Sequence, residues 1–271
     1  MGLIFDKHIA RHYESWCRSP HGRAIENSIE QLMLLLLDLK PGERALDIGC
    51  GTGSHLLILS KLGLNVSGID ASPYMIQKAR ERFGQRCELK TGMAEAIPFD
   101  DNEFDLVVII NTLEFLDDAL QALREAGRVA NRKVFIGVIN SLSCNGLSKK
   151  AQGLLGDPLF SYAKFYNIWQ LKSFLQKAYG HVPVSWSCIE KPPFFIGKTG
   201  PPEKSFLSWK HFPFGSFLGI SATMVPKVRT NNLPLKIRLK KTRSPLIEVG
   251  TAENQNSLKS GRGKINSRNL R

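Results

Sequence analysis

The chain has 271 residues, of which 42% are hydrophobic and 23% charged, as is usual for a soluble globular protein. No apolar run approaches the roughly 18 residues that span a bilayer, and the five scattered cysteines lack the spacing of a zinc site or a disulfide framework. The net charge of +13 is concentrated in residues 227–271, with twelve Lys and Arg against two acids, which leaves only +3 on the body. Because the cysteines are scattered in this way, we expect a reducing, cytoplasmic setting and a site without metal.

The N-terminal segment is predicted to be helical over residues 5–39. Apolar residues recur there at helical spacing, and Pro41-Gly42 ends the pattern. The first residues lack the apolar region of a signal peptide, and Asp6 stands where a myristoylation signal has Ser or Thr. We expect a helical cap over residues 1–40 that covers one edge of a sheet.

A glycine-rich loop follows the first predicted strand, Arg44–Ile48, and leads into a helix that begins near Ser54. Gly49, Gly51 and Gly53 tolerate unusual backbone angles and let a ligand approach the main chain closely. The helix then directs its free N–H groups at whatever lies on the loop. The spacing is G-x-G-x-G, whereas dinucleotide-binding loops carry G-x-G-x-x-G.

A second predicted strand, 65–70, ends at Asp70, which lies 21 residues beyond Gly49. At that spacing a carboxylate can reach the ribose hydroxyls of a nucleoside on the loop. Ser72 and Pro73 supply the cap and first-turn proline of the next helix, 73–83, after a helix over 54–62. Asp70 is therefore expected to be available to a ligand.

These motifs resemble those of the class I S-adenosylmethionine (SAM) methyltransferases. The loop resembles their motif I, and the pattern F-D, A-x-x-Y-E-x-W and G-R within residues 5–23 resembles the preceding segment of the UbiE-like, or type 11, group. The resemblance implies that this helix folds over the cofactor, with Tyr13 near its methionine end, although Tyr13 could equally serve packing. It also implies that the loop glycines face the methionine and ribose portions, that Asp47 orders the loop and that Asp70 holds the ribose.

The third predicted strand, 87–92, leads into a segment that departs from the family. Residues 93–99 resemble the family's G-D-A-E-x-L-P-F segment, whose aspartate commonly bonds the adenine amino group, but Met93 occupies the aspartate position. Adenine recognition is then expected to rest on backbone groups at Ala94, on Glu95 or on apolar stacking. A weakened cofactor site is the alternative.

The fourth strand, 106–110, is an uninterrupted apolar run suited to the centre of a parallel sheet. Ligands of open α/β sheets bind beyond the carboxyl ends of the strands, so residues 111–115 are a predicted pocket wall. The N-P-P-Y and D-P-P-Y motifs of amino-group methylases and the Pro-Cys pair of cytosine-C5 methylases are lacking. A helix over 117–130, which resembles the family's equivalent, and a fifth strand over 133–140 follow.

Residues 141–166 are the region in which such enzymes insert substrate-specific structure. Residues 164–171 resemble the family's F-Y-S-x-x-E-L, and Asn167 with Gln170 predicts a capping box for helix 168–178. The aromatic residues of this region could line an apolar substrate cavity or pack the core, and core packing is favoured for at least half of them; they are Tyr162, Phe165, Tyr166 and Trp169. Late strands are predicted over 182–189 and 217–225, and the segment between them is too rich in proline to be regular.

The predicted fold is a doubly wound α/β, Rossmann-like seven-stranded sheet with a terminal antiparallel hairpin. The predicted domains are the cap 1–40, a SAM-binding methyltransferase domain 41–226 with a substrate insertion near 141–166, and a basic, disordered tail 227–271. The tail is either a solvated extension or a contact for nucleic acid or anionic lipid.

The resemblance, which spans residues 5 to 225, implies in-line transfer of the SAM methyl group to a nucleophile. A small-molecule acceptor is expected because the inserted region is aromatic and the body of the chain is nearly neutral. The alternatives are an RNA methyltransferase that uses the tail as a phosphate clamp, and a non-catalytic scaffold or regulatory protein that keeps the fold. Candidates for a catalytic base are His55, Glu114 and Tyr166. The implied cofactor-binding residues are Tyr13, Asp47, Gly49, Cys50, Gly51, Gly53, Asp70, Ala71, Met75, Met93, Ala94, Glu95 and Asn111.

Overall fold

The computed structural model describes residues 4–18, 20–156, 160–190, 207–209 and 212–224. The chain divides into the units Met1–Val228 and Arg229–Arg271, and every described residue belongs to the first. The predicted basic tail lies outside the described residues. Within the described ranges, no helix is both long enough and apolar enough to cross a membrane.

Helices and strands alternate through most of the chain. The helices are α1 (Lys7–Arg18), α2 (Pro20–Leu36), α3 (Ser54–Lys61), α4 (Pro73–Phe83), α5 (Ala119–Val129), α6 (Cys144–Leu154) and α7 (Ile168–Tyr179). The strands are β1 (Arg44–Ile48), β2 (Asn65–Asp70), β3 (Glu88–Thr91), β4 (Phe104–Ile110), β5 (Ala130–Ile139), β6 (Val184–Glu190), β7 (Leu207–Trp209) and β8 (Phe217–Thr223).

The strands form one mixed sheet in the order β3-β2-β1-β4-β5-β8-β6-β7. Strands β1 to β5 are parallel, while β8 runs antiparallel to both β5 and β6. The predicted doubly wound sheet of seven strands with a closing antiparallel hairpin is confirmed. The three-residue strand β7 extends it at the edge, within the segment in which the sequence shows no regular pattern.

The sheet separates two apolar clusters, one on each face. One cluster packs α5 and α7 against the sheet, and the other packs α2, α3 and α4. Residues 106–110 of β4 are at most 2% exposed because both faces of this central strand are covered. Each large apolar side chain buried in this way stabilises the fold by about 1.5–3 kcal/mol.

Local signals place several helix ends where the sequence predicts them. The Ser72 hydroxyl accepts a hydrogen bond from the Met75 N–H at the start of α4, and Asn167 and Gln170 form the predicted capping box of α7. The helical pattern predicted over 5–39 is divided into α1 and α2. Pro20 begins α2, as expected from the preference of proline for the first helical position.

Candidate active site

A cavity lies at the carboxyl ends of β1, β2, β3 and β4, where an open parallel sheet binds its ligands. Eleven residues predicted to bind a cofactor line it: Tyr13, Gly49, Cys50, Gly51, Asp70, Ala71, Met75, Met93, Ala94, Glu95 and Asn111. Asp47 and Gly53 do not line it, and neither do Glu114 and Tyr166. His55 does.

Each glycine of the loop has positive φ, but Gly51 differs from the other two in its surroundings. A Cβ on Gly49 would collide with the Thr112 side chain, and one on Gly53 would lie 2.7 Å from the Phe83 ring. No described atom lies within 4 Å of the place a Gly51 Cβ would take. The lack of a side chain at Gly49 and Gly53 therefore lets Thr112 and Phe83 pack directly against the loop. Gly51 instead leaves open space beside the cavity.

Asp70 joins the end of β2 to the glycine loop. Its Oδ2 accepts from the Gly51 N–H at 2.9 Å, and its Oδ1 accepts from the Ser72 N–H at 2.8 Å. Burial raises the pKa of Asp70, and these two hydrogen bonds oppose the rise. Each carboxylate oxygen has a further lone pair, so Asp70 can serve the loop and a ligand hydroxyl together.

Asp47 lies away from the cavity wall, fully buried within β1. Neither carboxyl oxygen has a hydrogen-bond partner among the described residues, and His55 Nδ1 lies 3.8 Å from Oδ2, beyond hydrogen-bond range. Burial raises the pKa of Asp47 well above its usual range and lowers that of His55 to about 4. Both effects favour neutral forms, so His55 presents a neutral imidazole to the cavity at physiological pH.

Glu114 and Tyr166 lie outside the cavity lining because their side chains serve internal contacts. Glu114 is 1% exposed, and its Oε1 accepts from the Ile139 N–H at 2.9 Å. Burial raises the pKa of Glu114 to about 7. The Tyr166 hydroxyl donates to the Leu113 carbonyl at 3.5 Å, and burial raises its pKa to about 12. Both residues thus support the turn that carries the cavity residues Thr112 and Phe115.

The N-terminal segment closes one side of the cavity with aromatic side chains. The Ser72 hydroxyl donates to the Phe5 carbonyl at 2.6 Å and ties this segment to the start of α4. The Phe5 ring makes edge-to-face contacts with Phe115 at 5.4 Å and with Tyr13 at 5.9 Å between centroids. Phe5 and Tyr13 thus form part of the cavity wall.

The loop after β3 carries Met93, Ala94 and Glu95 along the cavity, and α5 holds that loop in place. Arg128 donates to the Ile97 and Phe99 carbonyls, each at 2.8 Å, while Glu125 accepts from the Ile97 N–H at 2.9 Å. Glu95 Oε2 is buried without a hydrogen-bond partner in the described part of the chain. The loop therefore supplies the Glu95 carboxylate as an available hydrogen-bond acceptor, two residues from Met93, which occupies the family's aspartate position.

Asn111 supplies a second unused acceptor, directly after β4. It adopts a left-handed φ of 52°, and its N–H donates to the Gly137 carbonyl at 2.9 Å. Its Oδ1 is also buried without a partner among the described residues. Residues other than glycine in this left-handed region cluster at active sites and ligand contacts, so Asn111 is a candidate ligand contact.

These groups fit a nucleoside to which an amino acid is attached. Asp70 suits ribose hydroxyls, the acceptors on Glu95 and Asn111 suit N–H donors, and the space at Gly51 admits a ligand against the main chain. No group of three or more potential metal ligands occurs among the described residues. The site is suited to an organic cofactor.

Several cavity residues were not predicted from the sequence, namely Ile4, Phe5, Ile48, Thr52, Ser54, Ile69, Gly92, Ile110 and Leu116. Ile69 and Gly92 stand at the ends of β2 and β3, so the rule that ligands bind beyond strand ends could have found them. Ile4 and Phe5 are distant in sequence from every strand. Contacts of Phe5 with Ser72 and Phe115, both far along the chain, hold this segment at the site.

Comparisons with known proteins agree with this geometry. Residues 46–136 match the family model described as a methyltransferase domain, of the type 11 group. A Streptomyces fradiae transposon protein of 37.1 kDa is 38% identical over 107 residues, covering 38% of this chain and 31% of that protein. A demethylmenaquinone methyltransferase of Tropheryma whipplei is 33% identical over 102 residues, covering 35% of this chain and 43% of the enzyme. The chain thus spans less than half the length of these two relatives.

Solved structures share the fold. A Thermotoga maritima protein described as a SAM-dependent methyltransferase has a TM-score of 0.65 at 23% identity, covering 80% of this chain and 97% of that protein. Synechocystis magnesium protoporphyrin IX methyltransferase, solved with bound S-adenosylhomocysteine, has a TM-score of 0.55 at 17% identity, covering 81% of this chain and all of that enzyme. Residues 46–136 are thus identified as a methyltransferase domain of the type 11 group, set in a fold that SAM-dependent methyltransferases share.

Proposed function

We propose that this protein binds SAM in the described cavity and transfers its methyl group to a small-molecule nucleophile. The observation that carries the proposal is Asp70, whose carboxylate faces the cavity while it holds the N–H of Gly51. One residue thereby joins the loop, the second strand and the place a ribose would take. The family match over residues 46–136 supports the same cofactor.

The bound cofactor supplies a methyl group on a sulfonium, which is already a good leaving group. The protein therefore needs mainly to align donor and acceptor and to exclude water. Asp70 would hold the ribose, and the Glu95 and Asn111 acceptors would receive N–H groups of the base and the amino-acid portion. Phe5 and Tyr13 would shield the site from solvent.

The acceptor is proposed to present an apolar face to the site. Phe5, Phe115 and Leu116 form an apolar part of the cavity wall, and this wall supports such an acceptor. Of the three candidate bases, His55 alone lines the cavity, and its lowered pKa makes it a weak base. An acceptor that is already nucleophilic at neutral pH, such as an amine, a thiolate or an enolate, fits this environment best.

Calorimetric titration with S-adenosylhomocysteine tests the cofactor, and incorporation of radiolabelled methyl from SAM into a panel of apolar amines, thiols and readily enolised ketones tests the acceptor. We expect micromolar binding and labelling of at least one acceptor class. Absence of binding by the wild-type protein would refute the proposal. Binding without turnover on any acceptor would instead support a non-catalytic SAM-fold protein.

A further inference from the structure

The loop between β3 and β4 carries part of the cavity wall without being part of a helix or strand. Residues 92–95 of this loop line the cavity, and the next strand begins only at Phe104. The backbone groups of such a loop need hydrogen-bond partners other than a helix or a sheet. A turn within the loop supplies one bond, from the Ala96 N–H to the Met93 carbonyl at 3.2 Å. Further bonds to other elements are needed to fix the position of the loop.

Helix α5 supplies these bonds through the pair Glu125 and Arg128. The Ile97 N–H donates to Glu125 Oε2 at 2.9 Å, while Arg128 Nη2 donates to the Ile97 carbonyl at 2.8 Å. Arg128 Nη1 donates to the Phe99 carbonyl, also at 2.8 Å. The pair is joined by bonds from Arg128 Nε and Nη2 to the two Glu125 oxygens, at 2.8 and 2.7 Å. Both backbone groups of Ile97 are thus held by one helix.

Arg128 uses its whole guanidinium group in this arrangement. Its five N–H donors meet acceptors on Glu125, Ile97, Phe99 and Asp101, the last at 3.0 Å. Hydrogen bonding to Arg128 lowers the pKa of Glu125, so both members of the pair are charged at neutral pH. Because lysine has only three donors and no planar fork, it could not reproduce these bonds.

The backbone held by the pair lies next to the cavity wall. Ile97 follows Glu95 by two positions, and the Glu95 carbonyl accepts from Gln121 Nε2 of α5 at 3.4 Å. Strand β3 adds one contact, since Lys90 Nζ donates to the Pro98 carbonyl at 3.2 Å. Helix α5 therefore fixes the loop immediately beyond the residues that meet a ligand.

We propose that Glu125 and Arg128 are positioning residues that hold this loop ready for the base of the cofactor. Neither side chain lines the cavity, so both act through the backbone of the loop. The inference rests on the proposed function, because it requires SAM to place its base beside Glu95. A loop that already has its binding conformation loses less entropy when the ligand arrives. The pair should thus favour binding of the base, and not of the ribose and amino-acid portions, which meet other elements.

Ligands with and without the base test this inference. S-Ribosylhomocysteine is S-adenosylhomocysteine without its adenine, so the ratio of the two affinities isolates the contribution of the base. We expect Arg128→Lys to lower the affinity for S-adenosylhomocysteine on the order of tenfold and to leave that for S-ribosylhomocysteine unchanged. Calorimetry measures the first affinity, and ligand-observed NMR measures the second, weaker one.

Two further variants complete the set. Glu125→Gln keeps one acceptor oxygen and should show the same pattern more weakly, so it carries the test if Arg128→Lys fails to fold. Arg124→Lys, at an exposed residue of the same helix, is the matched control and should change neither affinity.

Hydrogen exchange tests the position of the loop without any ligand. The Ile97 amide is protected by its bond to Glu125. We expect Arg128→Lys to speed the exchange of amides in residues 93–99, while the amides of β1 and β4 keep their wild-type rates.

Three results would overturn the inference. Equal losses of affinity for the two ligands would show a general loss of stability. Unchanged affinity for S-adenosylhomocysteine in both pair variants, or unchanged exchange in the loop, would show that the pair does not position it. No binding of S-adenosylhomocysteine by the wild type is a different result, which would refute the proposed function and the inference that rests on it.

Discussion

The Asp70 carboxylate and the Gly51 N–H are joined by a hydrogen bond of 2.9 Å. This bond is possible because β1 and β2 pair in parallel, with Ile48 opposite Ile69, so that the two strand ends lie side by side. A residue expected to bind a ligand therefore also holds the loop on which the ligand would lie.

Asp70→Asn should lower the affinity for S-adenosylhomocysteine by about 10- to 100-fold, the loss expected for a charge-assisted hydrogen bond. Calorimetric titration measures this change. Thermal unfolding measures how far the loss of the charge-assisted bond to Gly51 destabilises the protein itself. Glu81→Gln, which removes an exposed charge on α4, is the control and should leave the affinity unchanged. Equal affinities for Asp70→Asn and the wild type would contradict the assignment of Asp70 to the ribose.

Alanine at Gly49 and at Gly51 should separate stability from binding. Both positions have positive φ, but only the Gly49 methyl collides with Thr112. Gly49→Ala should therefore cost about 2–4 kcal/mol of unfolding free energy, and Gly51→Ala only about 1 kcal/mol. Gly51→Ala should nevertheless weaken cofactor binding more than its stability loss suggests, because Gly51 lines the cavity. Urea unfolding measures the two stabilities, and titration with S-adenosylhomocysteine measures the affinities. A lower stability for Gly51→Ala than for Gly49→Ala would contradict the prediction.

Glu114 should make stability depend on pH. Its pKa is about 7 in the native state and near 4.5 when unfolded, so the native state holds the proton through this interval while the unfolded state releases it. The free energy of unfolding should thus fall as pH rises from about 4.5 to 7, by on the order of 3 kcal/mol in total.

Glu114→Gln should flatten this decline, because the amide stays neutral and its oxygen still accepts from Ile139. Asp47, whose pKa is also raised by burial, contributes a decline of the same sign, so some slope should remain. Urea unfolding at a series of pH values measures both slopes. Identical slopes in the variant and the wild type would show that Glu114 does not titrate in this interval.

Glu95 should determine the preference for adenine, since Met93 has no strong acceptor. The wild type should bind S-adenosylhomocysteine at least about tenfold more tightly than S-inosylhomocysteine, whose 6-oxo group would face a carboxylate. Glu95→Gln should reduce this preference because its amide can donate to the 6-oxo group. Met93→Leu is the control and should retain the preference. A preference that survives Glu95→Gln would assign the base to the backbone at Ala94 instead.

The sequence alone determined the order of the elements and most of their ends. Apolar runs, the proline at the start of α4, the capping box of α7 and the glycine loop are local signals, and each acts within a few residues. The central strand β4 could be predicted because burial on both faces requires an uninterrupted apolar run. The strand β7 could not, because a three-residue edge strand has almost no periodicity of its own.

Only the tertiary structure decided where the polar side chains of these motifs point. Asp47 stands in the glycine motif yet is buried away from the cavity, and Glu114 stands in the predicted wall yet bonds to Ile139. Phe5 joins the site through contacts with Ser72 and Phe115, far along the chain. The sequence could place the glycine loop because backbone geometry is local. It could not place these side chains, because their directions depend on how distant segments pack together.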